Sequence, residues 1–260
     1  MDNPLTRDLC TIAVMLVAAV AVYLVRRLVP PEELRENNEF TGFTWAFVGL
    51  VYGVYLAFTV VVVWEHFNNA DDTSTNEATH LSELWRDAEI LPGGHDVQDA
   101  LYNYAKSVVA DDWPAMAHGT LGSPKTSEIY ENLWRTYYNV HPNPSDPAQV
   151  AFYQQSLREL NTMGIQRRQR ILSGSANLPG IMWFLLIAGG VVMVVFSLLI
   201  GTPHAWLQYA ITTLLAGFLA FAIVIVGALE EPFEGDICVQ PSAFESVVKS
   251  FDARRAAQHR

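Results

Sequence analysis

The chain has 260 residues, 51% of them apolar and 17% charged, with 27 acidic against 16 basic side chains and a formal net charge of −11. That balance excludes a nucleic-acid binder, which needs a basic surface to meet phosphates. The apolar share is ordinary, but its distribution is not: it is gathered into four nearly uncharged runs, 9–29, 43–64, 181–201 and 206–229.

Each run is about 20 residues long, the length an α-helix needs to cross a bilayer. Four of them exceed what one soluble core can hide, so the expected fold is all-α, a polytopic membrane protein with four transmembrane helices. The expected division is a first helix pair in 1–64, a helical region outside the membrane in 65–178, a second pair in 179–229 and a juxtamembrane segment in 230–260.

The leading MDNPLTRD is too short to fold. The first run is not read as a signal peptide: it lacks a small-residue cleavage site, is preceded by Asp2 and Asp8 as well as Arg7, and is too long. Cys10 and Cys238 are the only cysteines, so no disulfide framework is expected. The run closes on Arg26 and Arg27, whose stems can reach the headgroups. Pro30 and Pro31 then stop it, and PPEELRENNE reads as an acidic loop.

The second run continues past Trp64 into polar sequence with no Gly or Pro between Gly53 and Pro92. The pattern predicts one helix from Phe43 to about Ile90 that leaves the membrane and opens the soluble layer. Phe43, Phe47, Val54 and Phe58 share one helical stripe. Around a symmetry axis such a stripe forms a hydrophobic neck that passes weakly hydrated anions and gates by dewetting, whereas inside one bundle it packs helices; both readings stay open. Gly49 and Gly53 make a small-xxx-small face for close helix approach.

The soluble layer reads as helical throughout. A helix is expected over DVQDALYNYAKSVVADDW, bent or ended by Pro114. Ser123-Pro124 and Asp146-Pro147 each look like a cap followed by proline at the first helical position. The second of these opens a long helix with Gly164 as its weak point. Past the fourth span, Ser242 and Glu245 suggest a capping box for a last amphipathic helix, and ARRAAQHR reads as a frayed end.

Chemistry finds little purchase. There is no HExxH, CxxC or Gly-rich phosphate loop, and no nucleophile elbow, so the chain is not read as an enzyme. Glu77 and His80 form one ExxH, but a four-helix di-iron site needs a second, which is missing. The spans lack a charge at mid-depth, which disfavours proton-coupled pumping. Gly189, Gly190, Gly217 and Gly227 read as packing points. Glu230, Glu231, Glu234 and Asp236 crowd the exit of the fourth span and would offer oxygen ligands to Ca²⁺, against the simpler reading of a solvated acidic turn; no cofactor is otherwise expected. Basic residues on the side of the large soluble region, Arg7, Arg167, Arg168 and Arg170 with Lys249, Arg254 and Arg255, outnumber Arg26, Arg27 and Arg35 opposite, which places both termini and that region in the cytoplasm.

Several stretches resemble the bestrophin-like family of bacterial membrane proteins, grouped with the bestrophin anion channels. They are VVVVWEHFNNA and NEATHLSELWRDAEILP, DDWPAM at 111–116, RRQRI at 167–171, LPGIMW at 178–183 and LEEPFEGDICVQPSAF at 229–244. The resemblance implies a homopentamer in the bacterial inner membrane, cytoplasmic termini, and an anion pore lined by the second span. The acidic stretch is similar to the one that helps form a calcium clasp in calcium-gated members. Here Glu234 separates Phe233 from Gly235 and the long acidic run is missing, so calcium gating does not carry over. The expected partners are lipid, copies of the chain and inorganic anions. The expected function is a passive, anion-preferring channel, with a non-conducting membrane scaffold or sensor as the rival.

Overall fold

The structure is a computed structural model that describes residues 4–175 and 177–258. Its elements are α1 (Pro4–Leu28), α2 (Pro31–Glu36), α3 (Asn38–Ala88), α4 (Gly94–Ser107), one π-helical turn (Val108–Asp112), α5 (Trp113–Met116), α6 (Pro124–Tyr138), α7 (Pro147–Ser173), α8 (Gly180–Leu199), α9 (Ala205–Glu230) and α10 (Ser242–Gln258). No strand occurs among the described residues. α1, α3, α8 and α9 are long and apolar enough to cross a membrane, as the four runs require.

The chain divides into two compact units, 1–65 with 177–230 and 66–176 with 231–260. In the first, α1, α8, α9 and the apolar half of α3 pack as antiparallel neighbours. Trp45 Nε1 donates to the Met193 carbonyl at 3.3 Å, Tyr52 Oη to Leu186 at 3.0 Å and Tyr55 Oη to Met182 at 2.7 Å, so three rungs register α3 on α8. Ser197 and Thr212 share a 2.9 Å hydrogen bond between α8 and α9, buried where no water can serve them. A Cβ on Gly217 would stand 2.8 Å from the Met15 sulfur, and one on Gly189 would collide with the Tyr52 ring, so glycine is what lets these helices close. At one end of this unit Asn38 pairs with Gly201 through both its amide atoms, at 2.7 and 2.9 Å, and Arg26 donates to Gln208 Oε1 at 2.7 Å. The connections at 30–42 and 202–205 therefore meet.

In the second unit the polar half of α3 packs with α4, α6, α7 and α10 around Leu81, Leu84, Trp85, Leu101, Tyr104, Leu133, Leu160, Phe244 and Phe251, all buried. Phe251 stacks on Trp85 with ring centroids 4.0 Å apart. The π-helical turn sits directly before Pro114, whose missing N–H cannot serve the preceding turn.

Several local expectations are corrected. PPEELRENNE is not a loop: Pro31 opens the short helix α2 with Glu32 and Glu33 in its first turn, and α3 begins at Asn38, five residues before Phe43. Asp146 caps α7 by accepting from Ala148 and Gln149, but Ser123 makes no such side-chain bond and instead gives its own N–H to Asp112. Ser242 already lies inside α10, where Glu245 N–H bonds the Pro241 carbonyl, so the capping box does not form. The tail is helical through Gln258 because Arg255 pairs with Asp99 and lies over the Tyr102 ring; His259 and Arg260 fall outside the described residues. Gly164 does not break α7: the hydroxyl of Tyr130 occupies the place of its missing side chain.

Candidate functional site

The phase of α3 in the first unit decides which of its residues can do anything beyond packing. The face toward α8 is fixed by Trp45, Val48, Tyr52 and Tyr55. At about 100° per residue, Phe43, Phe47, Val54 and Phe58 fall within roughly 60° of one another on the opposite side of the helix. Their exposures are 76, 62, 49 and 68%, with Phe40, Leu50, Val51 and Val61 exposed around them. The chain itself thus leaves a continuous stripe of aromatic and branched side chains uncovered, without one charged group between Phe40 and Trp64.

The two glycines of the small-xxx-small reading part company. Gly49 turns toward α8, where an added Cβ would stand 3.0 Å from the Met193 methyl, whereas Gly53 meets nothing within 4 Å inside the chain. Below the stripe, Phe47, Val48, Val51, Tyr52, Tyr55, Leu185 and Gly189 line a shallow apolar groove between α3 and α8.

What the oxygens at the acidic exit of the fourth span touch bears on the calcium reading. Glu230 is committed within the first unit: it accepts from the Leu178 N–H at 2.6 Å and from Trp183 Nε1 at 3.1 and 3.2 Å, locking the start of α8 to the end of α9. In the second unit Pro232 and Gly235 carry a tight turn, with Glu234 N–H on the Glu231 carbonyl at 3.1 Å and φ of 73° at Gly235. The Glu234 carboxylate lies against Gly119, and neither it nor Asp236 is free of partners. Among the described residues, Glu231, Glu234 and Asp236 do not bring three side-chain ligand atoms within 4.8 Å of one another.

The strongest polar constellation is one that local spacing did not reveal. Arg170 is fully buried and donates from Nε to Glu77 Oε2 at 2.7 Å and from Nη2 to Asp112 Oδ2 at 3.0 Å, between the rings of Trp113 and Phe244. Tyr104 donates its hydroxyl to the other Glu77 oxygen, and Ser123 N–H takes the other Asp112 oxygen at 2.7 Å. Burial works against the Arg170 charge, but Glu77, Tyr104 and Asp112 outweigh it and hold the guanidinium protonated. Burial, then the Glu77 charge, pushes the Tyr104 hydroxyl well above its usual range. Glu77 therefore belongs to this network and not to a metal with His80, and Arg170 is not a surface charge.

Fold and site together define a class: an all-helical membrane protein whose second span runs on unbroken for 51 residues and bares an uncharged aromatic face. The chain belongs to the Bestrophin-like family, whose profile, the Bestrophin-like domain, matches residues 12–244. Among solved structures it is similar to two point variants of a bacterial Bestrophin homologue from Klebsiella pneumoniae. One superposes with a TM-score of 0.70 at 12% identity, covering 93% of this chain and 97% of that one. The other gives 0.72 at 10% identity, covering 93% and 98%. No curated protein matches the sequence.

Proposed function

We propose that the protein is an oligomeric, passive ion channel with α3 at its centre, the stripe of Phe43, Phe47, Val54 and Phe58 forming the neck of the pore. The observation that carries this reading is the phase of α3: the side that α8 leaves uncovered carries Phe43, Phe47, Val54 and Phe58, and membership of the Bestrophin-like family supports the assignment. Copies arranged about an axis, five by family resemblance, would cover that stripe with its own counterparts. Phenyl rings present their positive edges inward when they line a narrow neck, which favours a weakly hydrated anion over a cation. The uncharged spans support passive conduction over proton-coupled pumping. The excess of basic residues on the side of the helical unit supports an orientation with that unit and both termini in the cytoplasm, and the family supports a bacterial inner-membrane location.

Purified protein reconstituted in planar bilayers tests the proposal. Single-channel currents in symmetric chloride, with reversal potentials in a gradient following chloride, are the expected result. Absence of current at any voltage, with a monomer or dimer by mass photometry in detergent, would replace it with a non-conducting membrane scaffold. Labelling of Cys238 by a membrane-impermeant maleimide only in inside-out vesicles is expected from the stated orientation.

A further inference from the structure

We infer that His80, Glu83 and Glu159 form a binding site for a first-row divalent metal ion of the zinc class, within the second unit and separate from the proposed pore. His80 and Glu83 sit one turn apart on α3, and Glu159 comes from α7, 79 residues further along. One ligand atom from each lies within 4.8 Å of the others, and among the described residues no other group of three histidine, cysteine or carboxylate side chains meets that condition.

Two features set the cluster apart from an ordinary surface ion pair. Both carboxylates address the same imidazole nitrogen: His80 Nδ1 stands 2.7 Å from Glu159 Oε2 and 3.4 Å from Glu83 Oε2. One ring nitrogen carries at most one hydrogen and can satisfy one of them, whereas a dication answers all three ligands at once. The ligands are also held and partly withdrawn from water, with side-chain exposures of 21% for His80, 39% for Glu83 and 17% for Glu159. Gln155, one turn earlier on α7, donates to the second Glu159 oxygen at 2.7 Å and is itself fixed by Arg158 at 2.8 Å, the kind of outer support that orients a metal-binding carboxylate.

One imidazole nitrogen with two carboxylate oxygens is a three-ligand set with borderline-hard donors, which suits Zn²⁺ or Mn²⁺ and leaves further positions for water; it is too poor in oxygens for Ca²⁺. Binding replaces the hydrogen bond between His80 and Glu159 with a bond from each to the ion, the neutral imidazole carrying its hydrogen on Nε2. The ion would tie α3 to α7. The site does not depend on whether the chain conducts.

The test uses the full-length protein in detergent with any affinity tag removed. Zinc titrated against a chromophoric chelator should load one equivalent per chain. His80→Gln and Glu159→Gln should each weaken uptake by more than about a hundredfold, beyond the roughly 10–100-fold effect of changing a supporting residue, while His118→Gln leaves it unaltered. In the wild type, zinc should protect His80 from carbethoxylation by diethyl pyrocarbonate, read peptide by peptide by mass spectrometry. No stoichiometric uptake, uptake indifferent to His80→Gln, or equal labelling of His80 with and without zinc would each overturn the site. The labelling experiment decides the matter if the variants fail to fold.

Discussion

Arg170 and Glu77, 93 residues apart in the chain, form a two-pronged ion pair with neither side chain in contact with solvent, at 2.7 Å from Nε and 3.4 Å from Nη2. The pair joins α7 to α3 and, through Asp112, to the π-helical turn ahead of Pro114. Taking such charges from water is expensive, so the network is kept by its completeness: every oxygen of Glu77 and Asp112 has a donor.

Removing one member is therefore worse than never having had it. Arg170→Met leaves Glu77 and Asp112 buried without their cation, and a loss of about 3–5 kcal/mol is expected. For a chain of this size that corresponds to a fall of roughly 10 °C in the melting midpoint. Intrinsic tryptophan fluorescence on heating reads it directly, since Trp113 packs on Arg170. A variant melting within a degree or two of the wild type would show that the network does not hold the unit together.

The same network fixes a pH dependence. Burial first, and the Glu77 charge second, raise the Tyr104 hydroxyl, while Arg170 and Arg167 act the other way. A folded-state value above the unfolded one, near 10, means that the unfolded chain gives up this proton first as pH rises. The contribution is fully present below about pH 10 and is lost above it. Melting midpoints measured from pH 8 to 11 should fall across that window. Tyr104→Phe should melt lower at pH 8, by the loss of a hydrogen bond to a buried charge worth about 1.5–3 kcal/mol, yet show a shallower alkaline decline. A residual slope is expected because burial also raises Tyr130 and Tyr137.

How much of this could be read from the chain follows from the range of the forces involved. Run length and the absence of breakers are local, so the four spans and the continuous α3 were legible from composition along the sequence. Short helices and frayed ends are decided by partners that are remote in sequence: the tail holds because Arg255 finds Asp99 and Phe251 finds Trp85. Arg170 was legible only as one positive charge among several in RRQRI, because nothing in local spacing points to Glu77. The ExxH of Glu77 and His80, set aside for want of a second motif, says nothing of where either side chain turns. The two are neighbours on the helix surface, but Glu77 turns to α7's Arg170 and His80 to Glu159. The useful signal was the other spacing, His80 with Glu83, completed by a residue that no short window contains. The aromatic stripe on α3 was legible as helical phase, but which side faces α8 came only from the hydrogen bonds of Trp45, Tyr52 and Tyr55.

Close approach of α3 and α8 gives a further expectation. The Tyr52 ring occupies the space above Gly189, and its hydroxyl lies 3.2 Å from where a Cβ on Gly190 would stand. Gly189→Ala forces the ring or the helix to move, at an expected cost of about 1–3 kcal/mol for overpacking. Tyr52→Phe removes only the hydrogen bond to the Leu186 carbonyl, worth about 0.6 kcal/mol between membrane helices. Thermal midpoints in detergent should rank Gly189→Ala well below Tyr52→Phe. The reverse order would mean that the hydrogen bond, and not the contact, sets the helix spacing.

The phase of α3 makes the channel reading testable residue by residue. If Phe47 and Phe58 line a dewetted neck, cutting either to alanine widens it and lowers the free energy of wetting. A barrier smaller by about 1.4 kcal/mol raises the rate of passage about tenfold, so a clear gain in unit conductance is expected for Phe47→Ala and Phe58→Ala. Phe184 is just as exposed on α8 but lies on a different helix, and Phe184→Ala should leave conductance unchanged. The contrast separates a pore from lipid, because a lipid-facing phenylalanine on α3 would behave as Phe184 does. Equal conductance in all three variants would move the pore away from α3 while leaving the fold, and the family, as they are.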